Sequence, residues 1–279
     1  MHKPYKVLIL FFLQTLILFA NERSTLVFAP LPMENKETIY KTFAPLTNYL
    51  SQTLHVNIQY DFSDSYEILL DKIVNGKVDI AYLGPLPYIT LREHYPFIQP
   101  LVHFKEPSGE ASYTCSIIGL NDDVKALTTM RKTPIALTDP LSTCGYLSTE
   151  GLLNQRHNSL ENNFYRYVNK HDEVALEIIR GNYQYGGIKT AIAQRYKHLG
   201  ITILTSTANL PGFAMVANTK RLSPEEIEQL QQALLQTNTL DKTTWGGFIK
   251  YGCVEAKDQD YQALRELAKG VTVRPNGNF

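Results

Sequence analysis

The sequence predicts an α/β protein of two similar lobes, each a mainly parallel sheet flanked by helices. Short β-branched or aromatic runs alternate with amphipathic helical stretches from Arg23 onward, which is typical of parallel strands joined by helices. One helix-and-strand unit occurs twice, which indicates duplicated lobes. The chain of 279 residues is also longer than a single hydrophobic core usually serves.

The first elements follow from the spacing of apolar residues. Leu26 to Ala29 is predicted to be a strand, and apolar residues at helical spacing extend from Ile39 to Leu54. Pro45 lies within this helix and is expected to kink or restart it, because proline has no amide hydrogen. Val56 to Phe62 is the next predicted strand.

The repeated unit is a helix that ends at a glycine and leads into a short strand. In the first copy Ser65 can cap the helix, Gly76 can adopt the left-handed conformation after it, and the strand Val78 to Leu83 follows. The second copy is the helix His171 to Gly181, followed by the strand Tyr183 to Ile188. Both strands contain or precede glycine: Gly84 in the first copy, and Gly186 and Gly187 in the second.

Further elements complete both lobes. Other predicted strands are Tyr113 to Ile118, Pro134 to Leu137, Ile201 to Thr205 and Phe213 to Val216. Ser223, Pro224 and Glu226 form a capping-box pattern that starts a helix ending near Gln236. The last predicted helix extends from Gln259 to Ala268.

Two loops are predicted to carry the chain between the lobes. They are Lys105 to Glu110, with Pro107 and Gly109, and Ser206 to Gly212, with Pro211. Lobe one would then consist of residues 22–110 plus 207–279, and lobe two of residues 111–206. Two crossings leave a cleft between the lobes, which can open when a few loop residues bend.

The first 20 residues have the pattern of a cleaved secretory signal peptide. Lys3 and Lys6 precede an apolar run from Val7 to Phe19, and the small residue Ala20 follows it. The apolar run is shorter than the roughly 20 residues of a transmembrane helix, which favours cleavage over a permanent anchor.

Charge and cysteine patterns narrow the function classes. The chain has 27 basic and 27 acidic side chains, so it lacks the basic surface that nucleic acid or an anionic membrane requires.

The spacing of Cys115, Cys144 and Cys253 matches no zinc or haem motif, and we expect no metal and no other cofactor. One disulfide bond or three buried thiols are both compatible with these positions.

The segment Thr138 to Leu147 is the strongest candidate for a binding site. It places Ser142 and Thr143 after a strand and before an amphipathic stretch, where the first backbone amides of a helix lack partners. Amides and hydroxyls at such a helix start can hold a tetrahedral oxyanion without an arginine. The alternative is that Ser142 or Thr143 only caps its own helix.

With these motifs in place, the chain resembles the phosphate, phosphite and phosphonate substrate-binding proteins of ABC importers, of the phosphonate-binding type. The resemblance extends from about Leu26 to Leu267 and rests on four segments: Val78 to Pro85, Asp139 to Tyr146, His171 to Val174 with Gly181 and Gly187, and Asp258 to Tyr261. The resemblance implies the two-lobed periplasmic-binding fold of type II and a periplasmic location. It also implies that the protein is a monomer, that its ligand is a small phosphorus oxyanion, and that its partner is an ABC permease of the inner membrane.

The resemblance also implies a ligand site in the cleft. The residues carried over from the family pattern are Ser142, Thr143, Cys144, Gly145 and Tyr146 at the helix start, Tyr82 with Gly84 and His171 from the walls, and Tyr40 or the loop Pro32 to Glu34 from lobe one. Two positions depart from the pattern. Cys144 stands where a serine is usual and Gln184 where an aspartate is usual, so an aminoalkylphosphonate is a poorer candidate ligand.

Two other functions fit parts of the sequence. The same fold could sense a ligand and pass its closed state to a receptor kinase, which would have to be a separate protein. An enzyme is the other alternative, with Cys144 as a nucleophile of lowered pKa at a helix start and His171 as its base.

Overall fold

A computed structural model describes residues 25–120, 126–269 and 271–279, with the backbone only of residue 126. The predicted signal peptide at residues 1–20 lies outside the described residues. Within the described residues, no helix combines the length and the apolar character that crossing a membrane requires.

Strands and helices alternate along most of the described chain. The strands are β1 (Thr25–Pro30), β2 (Asn57–Tyr60), β3 (Ile80–Leu83), β4 (Ile98–Phe104), β5 (Ser112–Tyr113), β6 (Cys115–Gly119), β7 (Pro134–Leu137), β8 (Phe164–Tyr167), β9 (Tyr185–Lys189), β10 (Thr202–Ser206), β11 (Leu210–Pro211), β12 (Ala214–Asn218) and β13 (Cys253–Glu255). The α-helices are α1 (Lys36–Leu54), α2 (Tyr66–Val74), α3 (Pro85–His94), α4 (Ala126–Thr129), α5 (Ser148–Asn154), α6 (His171–Ile179), α7 (Thr190–Arg195), α8 (Pro224–Gln236) and α9 (Gln262–Ala268). One turn of π-helix, Thr143–Leu147, leads directly into α5.

The strands form two main sheets. The large sheet has the strand order β13-β4-β12-β3-β1-β2 and the small sheet has the order β10-β6-β9-β7-β8. β1 pairs in parallel with β2 and β3, and β7 pairs in parallel with β8 and β9. A short antiparallel pair, β5 with β11, lies apart from both sheets.

Both sheets are mixed, whereas the sequence predicts mainly parallel sheets. β12 lies antiparallel between β3 and β4, and β6 lies antiparallel between β9 and β10. β6 and β12 each follow closely after one of the two predicted crossing loops, whereas the edge strand β13, which lies antiparallel to β4, follows neither. The chain therefore enters β6 and β12 from the edge where the parallel strands end, and it has to run in the opposite direction.

The large sheet packs against α1 through a cluster of aromatic rings. Phe43 of α1 lies 5.3 Å from Phe28 of β1 and 4.8 Å from Tyr82 of β3, measured between ring centroids. Helix α1 continues through Pro45, so the predicted restart of the helix is wrong. Burial of Phe43 and Leu46 on either side of the proline outweighs the loss of one backbone hydrogen bond.

The repeated unit has the predicted local geometry in both copies. The Ser65 hydroxyl accepts a hydrogen bond from the Ile68 amide at 3.2 Å and so caps α2. Gly76 after α2 and Gly181 after α6 have φ angles of 68° and 79°, which side chains with a Cβ rarely adopt. The duplicated helix ends are therefore set by the same glycine requirement.

The last residues of the chain pack beside the small sheet. The Asn278 amide donates to the Tyr165 carbonyl of β8, and the hydroxyls of Tyr146 and Tyr167 donate to the carbonyls of Thr272 and Arg274. The sequence-based division assigns these residues to lobe one, but their contacts are with elements of lobe two. The lobe boundaries themselves stay a prediction.

Asp79 is buried at the beginning of β3, at the end of the large sheet away from the crossing loops. Its carboxylate accepts a hydrogen bond from the Val27 amide at 2.6 Å and pairs with the Arg221 side chain. Asp79 therefore ties β1, β3 and the segment after β12 together.

We expect Asp79→Ala to lower the free energy of unfolding by about 2 to 4 kcal/mol, because the Val27 amide loses its acceptor and Arg221 loses its carboxylate partner while keeping the Gly76 carbonyl. Asp71→Ala is the matched control, since Asp71 is exposed on α2. Its effect should stay within about 0.5 kcal/mol. Urea unfolding followed by circular dichroism measures both, and equal effects of the two substitutions would contradict this role of Asp79.

Candidate anion-binding site

A small cavity lies where the parallel strands of the two sheets end. Its volume of about 10 Å³ is room for roughly one water molecule. The residues that line it are Leu31, Tyr66, Gly84, Pro87, Tyr113, Ser142, Thr143, Cys144, His171 and Phe213. None of these residues carries a carboxylate, a guanidinium or an ammonium group.

Four helical segments begin at this cavity. Their starting residues in the lining are Tyr66 of α2, Gly84 at the N-cap of α3, Ser142 at the cap of the π-helical turn and His171 of α6. The first amides of a helix have no partners within the helix, and the helix dipole is positive there. The cavity is therefore suited to a negative charge, although no cationic side chain lines it.

Ser142 and Thr143 both accept hydrogen bonds from backbone amides. The Ser142 hydroxyl accepts from the Gly145 amide at 3.0 Å, and the Thr143 hydroxyl accepts from the Leu86 amide at 2.9 Å. Ser142 thus has the capping role that the sequence leaves as an alternative. Each hydroxyl still has its own hydrogen to donate to a ligand.

The two sides of the cavity contact each other. Thr143 follows β7 of the small sheet, whereas Leu86 lies in the first turn of α3, which follows β3 of the large sheet. The Asp139 carboxylate also reaches across to the Tyr66 amide at 3.5 Å. At the rim, Arg195 pairs with Glu34 at 3.4 Å. These contacts hold the cavity closed.

Gly145 is required by close packing rather than by an unusual backbone angle. A Cβ atom at this position would lie 2.1 Å from the Thr138 hydroxyl oxygen and 2.9 Å from the Thr138 amide nitrogen. Any side chain would push the π-helical turn away from β7. The glycine therefore allows Ser142 and Thr143 to reach the cavity.

Cys144 forms a disulfide bond with Cys115, with the two Cα atoms 4.9 Å apart. Cys253 is a buried free thiol. The structure thus selects the single bridge from the two alternatives that the sequence leaves open. Since the Cys144 sulfur is bonded to Cys115, the residue has no thiolate to act as a nucleophile with His171.

His171 is neutral and has a defined tautomer. Burial, followed by the positive charges of Lys189 and Arg195, lowers its pKa to about 3. Its Nδ1 accepts a hydrogen bond from the Lys189 amide at 3.3 Å. The ring proton is therefore on Nε2, which makes His171 a neutral donor in the wall of the cavity.

Tyr113 is the main functional candidate that the sequence analysis missed. Its hydroxyl is fully buried beside Thr143 and has no hydrogen-bond partner of good geometry among the described residues. A buried hydroxyl without a partner is costly, which points to a group that a ligand would satisfy. Its position directly after a crossing loop and close to Cys115 is the signal that could have identified it.

Three predicted site residues do not line the cavity. Tyr82 is buried behind it and stacks on Phe213 at 5.4 Å, so it supports the wall instead. Tyr40 is 52% exposed on α1 and its ring lies 5.1 Å from that of Tyr60 in β2, outside the cavity. Tyr146 packs with the tyrosines of β8 on the far side of the π-helical turn.

Gln184 also lies away from the cavity. It precedes the first residue of β9, whereas the cavity lies beyond the last residue of that strand. The replacement of the usual aspartate at this position therefore does not alter the lining. Asp79 has the same placement in the first copy of the repeated unit, at the beginning of β3.

Comparison with known proteins shows the family of the chain. The family model described as the phosphonate periplasmic substrate-binding protein of ABC transporters matches residues 28–261. The chain belongs to this family. Members are transporter components rather than enzymes, and the two-lobed type II fold expected from the resemblance is confirmed.

Individual relatives are distant in sequence and similar in structure. The chain is 22% identical over 271 residues to the phosphate-import protein PhnD of Mycolicibacterium smegmatis, covering 87% of this chain and 84% of that protein. The structure of PhnD1 from Prochlorococcus marinus in complex with methylphosphonate aligns with a TM-score of 0.77 at 15% identity, covering 88% of this chain and 97% of that one. A binding protein component of an ABC phosphonate transporter from Pseudomonas aeruginosa aligns with a TM-score of 0.74 at 16% identity, covering 88% and 86%.

The disulfide bond predicts a defined pattern of alkylation. In the denatured, unreduced protein we expect iodoacetamide to modify Cys253 alone, and after reduction all of Cys115, Cys144 and Cys253. The bond closes a loop of 29 residues and so restricts the unfolded chain. Replacing Cys115 and Cys144 together by serine should therefore lower the free energy of unfolding by about 3 to 4 kcal/mol. Mass spectrometry reads the first result, and alkylation of all three thiols without reduction would disprove the bond.

Burial of neutral His171 predicts a pH dependence of stability. Below about pH 6.5 the unfolded chain takes up a proton at His171, whereas the folded protein does so only near pH 3. The free energy of unfolding therefore falls as the pH is lowered through this window. This group should contribute up to about 1 kcal/mol to the fall in the free energy of unfolding for each pH unit. The His171→Gln variant should lack that contribution.

Urea unfolding at about pH 7, 5.5 and 4 measures the difference. His94→Gln is the matched control, because His94 is exposed at the end of α3. Parallel pH profiles for wild type and His171→Gln would show that His171 is not held neutral by the fold.

Proposed function

We propose that the protein captures a small phosphorus oxyanion, such as a phosphonate, phosphite or phosphate, in the cavity between its two lobes. The convergence of four helix starts on a buried cavity with hydroxyl and imidazole donors carries the proposal. Membership in the phosphonate-binding family supports the same ligand class. The bound methylphosphonate of the Prochlorococcus protein is a further reason to test phosphonates first.

The phosphoryl oxygens would be held by the hydroxyls of Ser142, Thr143 and Tyr113 and by Nε2 of His171. The positive ends of the helix dipoles would offset the ligand charge. We include Cys144 and Gly145 among the binding residues through their position in the π-helical turn. We do not retain the side chains of Tyr40, Tyr82 and Tyr146 as direct ligand contacts.

Capture requires movement of the two lobes. The cavity holds about one water molecule in its closed form, so a tetrahedral anion enters only after the contacts between Thr143 and Leu86 and between Arg195 and Glu34 have opened. Bending of the crossing loops would provide this opening. The ligand-bound form would then be presented, as a monomer in the periplasm, to an ABC permease of the inner membrane, after removal of a signal peptide at residues 1–20.

Tyr113→Phe separates ligand binding from folding. The substitution removes a buried hydroxyl that has no good partner, so the ligand-free protein should be as stable as wild type or slightly more stable. Its affinity for methylphosphonate should fall at least about tenfold, because a hydrogen bond to a charged acceptor is worth about 1.5 to 3 kcal/mol.

Tyr261→Phe is the matched control, since the Tyr261 hydroxyl is also buried without a partner but lies outside the cavity. Isothermal titration calorimetry with methylphosphonate, phosphite, phosphate and sulfate measures the affinities. Binding by wild type of none of the phosphorus oxyanions would refute the proposed function. Equal affinities of the Tyr113→Phe and Tyr261→Phe variants would remove Tyr113 from the site.

A further inference from the structure

Lys189 is a buried cation directly behind the cavity. It is the last residue of β9, and its side chain is 4% exposed. Its Nζ donates a hydrogen bond to Oε1 of Glu106 at 2.6 Å, while its backbone amide donates to His171. The ion pair thus joins the end of the small sheet to the first crossing loop.

Three aromatic rings surround the Lys189 ammonium group. Nζ lies 5.1 Å from the ring centroid of Tyr113, 4.8 Å from that of Phe213 and 5.8 Å from that of Phe248. Aromatic faces together with a carboxylate form the kind of site that recognises an ammonium group. Because Tyr113 and Phe213 also line the cavity, this ammonium site adjoins the proposed phosphoryl site.

Among the described residues, the carboxylates near the cavity already have partners. No carboxylate belongs to the lining residues, Glu106 is paired with Lys189, and Glu34 is paired with Arg195. The buried Asp139 carboxylate accepts hydrogen bonds from the Leu141 and Tyr66 amides. An ammonium group on a ligand would therefore meet the positive charge of Lys189 without a carboxylate of its own.

We propose that Lys189 occupies the ammonium subsite of this pocket with its own side chain, and that the protein thereby selects phosphorus oxyanions whose organic substituent carries no positive charge. The inference rests on the proposed function and adds the ligand class to it. Burial lowers the pKa of Lys189 and the Glu106 carboxylate partly offsets this effect, while the 2.6 Å contact between Nζ and Oε1 of Glu106 has the geometry of an ion pair.

The test compares two ligands that differ only in charge at one end. In 2-aminoethylphosphonate an ammonium group stands where n-propylphosphonate has a methyl group, and the two are otherwise similar in size. By calorimetry, wild type should bind n-propylphosphonate at least about tenfold more tightly than 2-aminoethylphosphonate. Lys189→Ala vacates the ammonium subsite, and the ratio of the two affinities should move at least about tenfold towards 2-aminoethylphosphonate.

Two further variants define the cause of this shift. Lys189→Met removes the charge but fills the space, so it should gain less affinity for 2-aminoethylphosphonate than Lys189→Ala. Combining Lys189→Ala with Glu106→Gln should abolish the gain, because the carboxylate that would receive the ligand ammonium is lost. Thermal unfolding of each variant shows whether it is folded, and the wild-type ratio provides a test that needs no substitution.

The outcomes separate this inference from the proposed function. Binding of methylphosphonate by wild type, with equal affinities for the two test ligands, would overturn the role of Lys189 and leave the function in place. A folded Lys189→Ala variant that keeps the wild-type ratio, or that binds no 2-aminoethylphosphonate, would overturn it too. Failure of wild type to bind any phosphorus oxyanion would refute the function and the inference together.

Discussion

The site depends on one geometric constraint, namely that the parallel strands of both sheets end on the same cavity. A helix that follows a parallel strand begins where the strand ends, so α2, α3, the π-helical turn and α6 all present their first residues to one point. The positive ends of their dipoles make this point favourable for an anion. The lining can therefore consist of hydroxyl, imidazole and apolar groups, without an arginine.

β6 and β12, the strands that follow the crossing loops, link the cavity at the strand ends to the proposed movement of the lobes. β6 and β12 start at the cavity because the chain has just crossed between the sheets, and the disulfide bond joins the first residue of β6 to the π-helical turn. The segment that carries Ser142 and Thr143 is thus fixed to the end of a crossing loop. In the proposed opening of the lobes, contacts across the cavity such as that of Thr143 with Leu86 would be lost as the crossing loops bend.

Patterns local in sequence predicted much of this fold. Ser65 with Gly76, and Ser223 with Glu226, marked helix ends that the structure confirms, because capping depends on neighbouring residues. Helix α3 was missed because it begins with Pro85 and Pro87 after Gly84, without a side-chain cap. Edge strand β13 was missed because it is only three residues long.

Part of the candidate site could also be predicted from local patterns, because these patterns mark helix starts. Ser142 and Thr143 were proposed because they lie at the start of a helical segment, and His171 was proposed from the family resemblance; all three line the cavity. Tyr113 and Lys189 were missed, since their importance comes from residues distant in the chain, such as Glu106 and Phe213. Tyr82 was misplaced because the sequence shows that a residue lies near a strand end, but not which side of the sheet its ring occupies.

A crystal structure of the protein with methylphosphonate tests the central claim most directly. We expect the phosphonate group to lie in the cavity, with its oxygens within about 3.2 Å of the Tyr113 and Thr143 hydroxyls and of Nε2 of His171. We also expect the methyl group to point towards the rings that enclose the Lys189 ammonium. A phosphonate bound outside this cavity, or a cavity that stays empty at saturating ligand, would contradict the account.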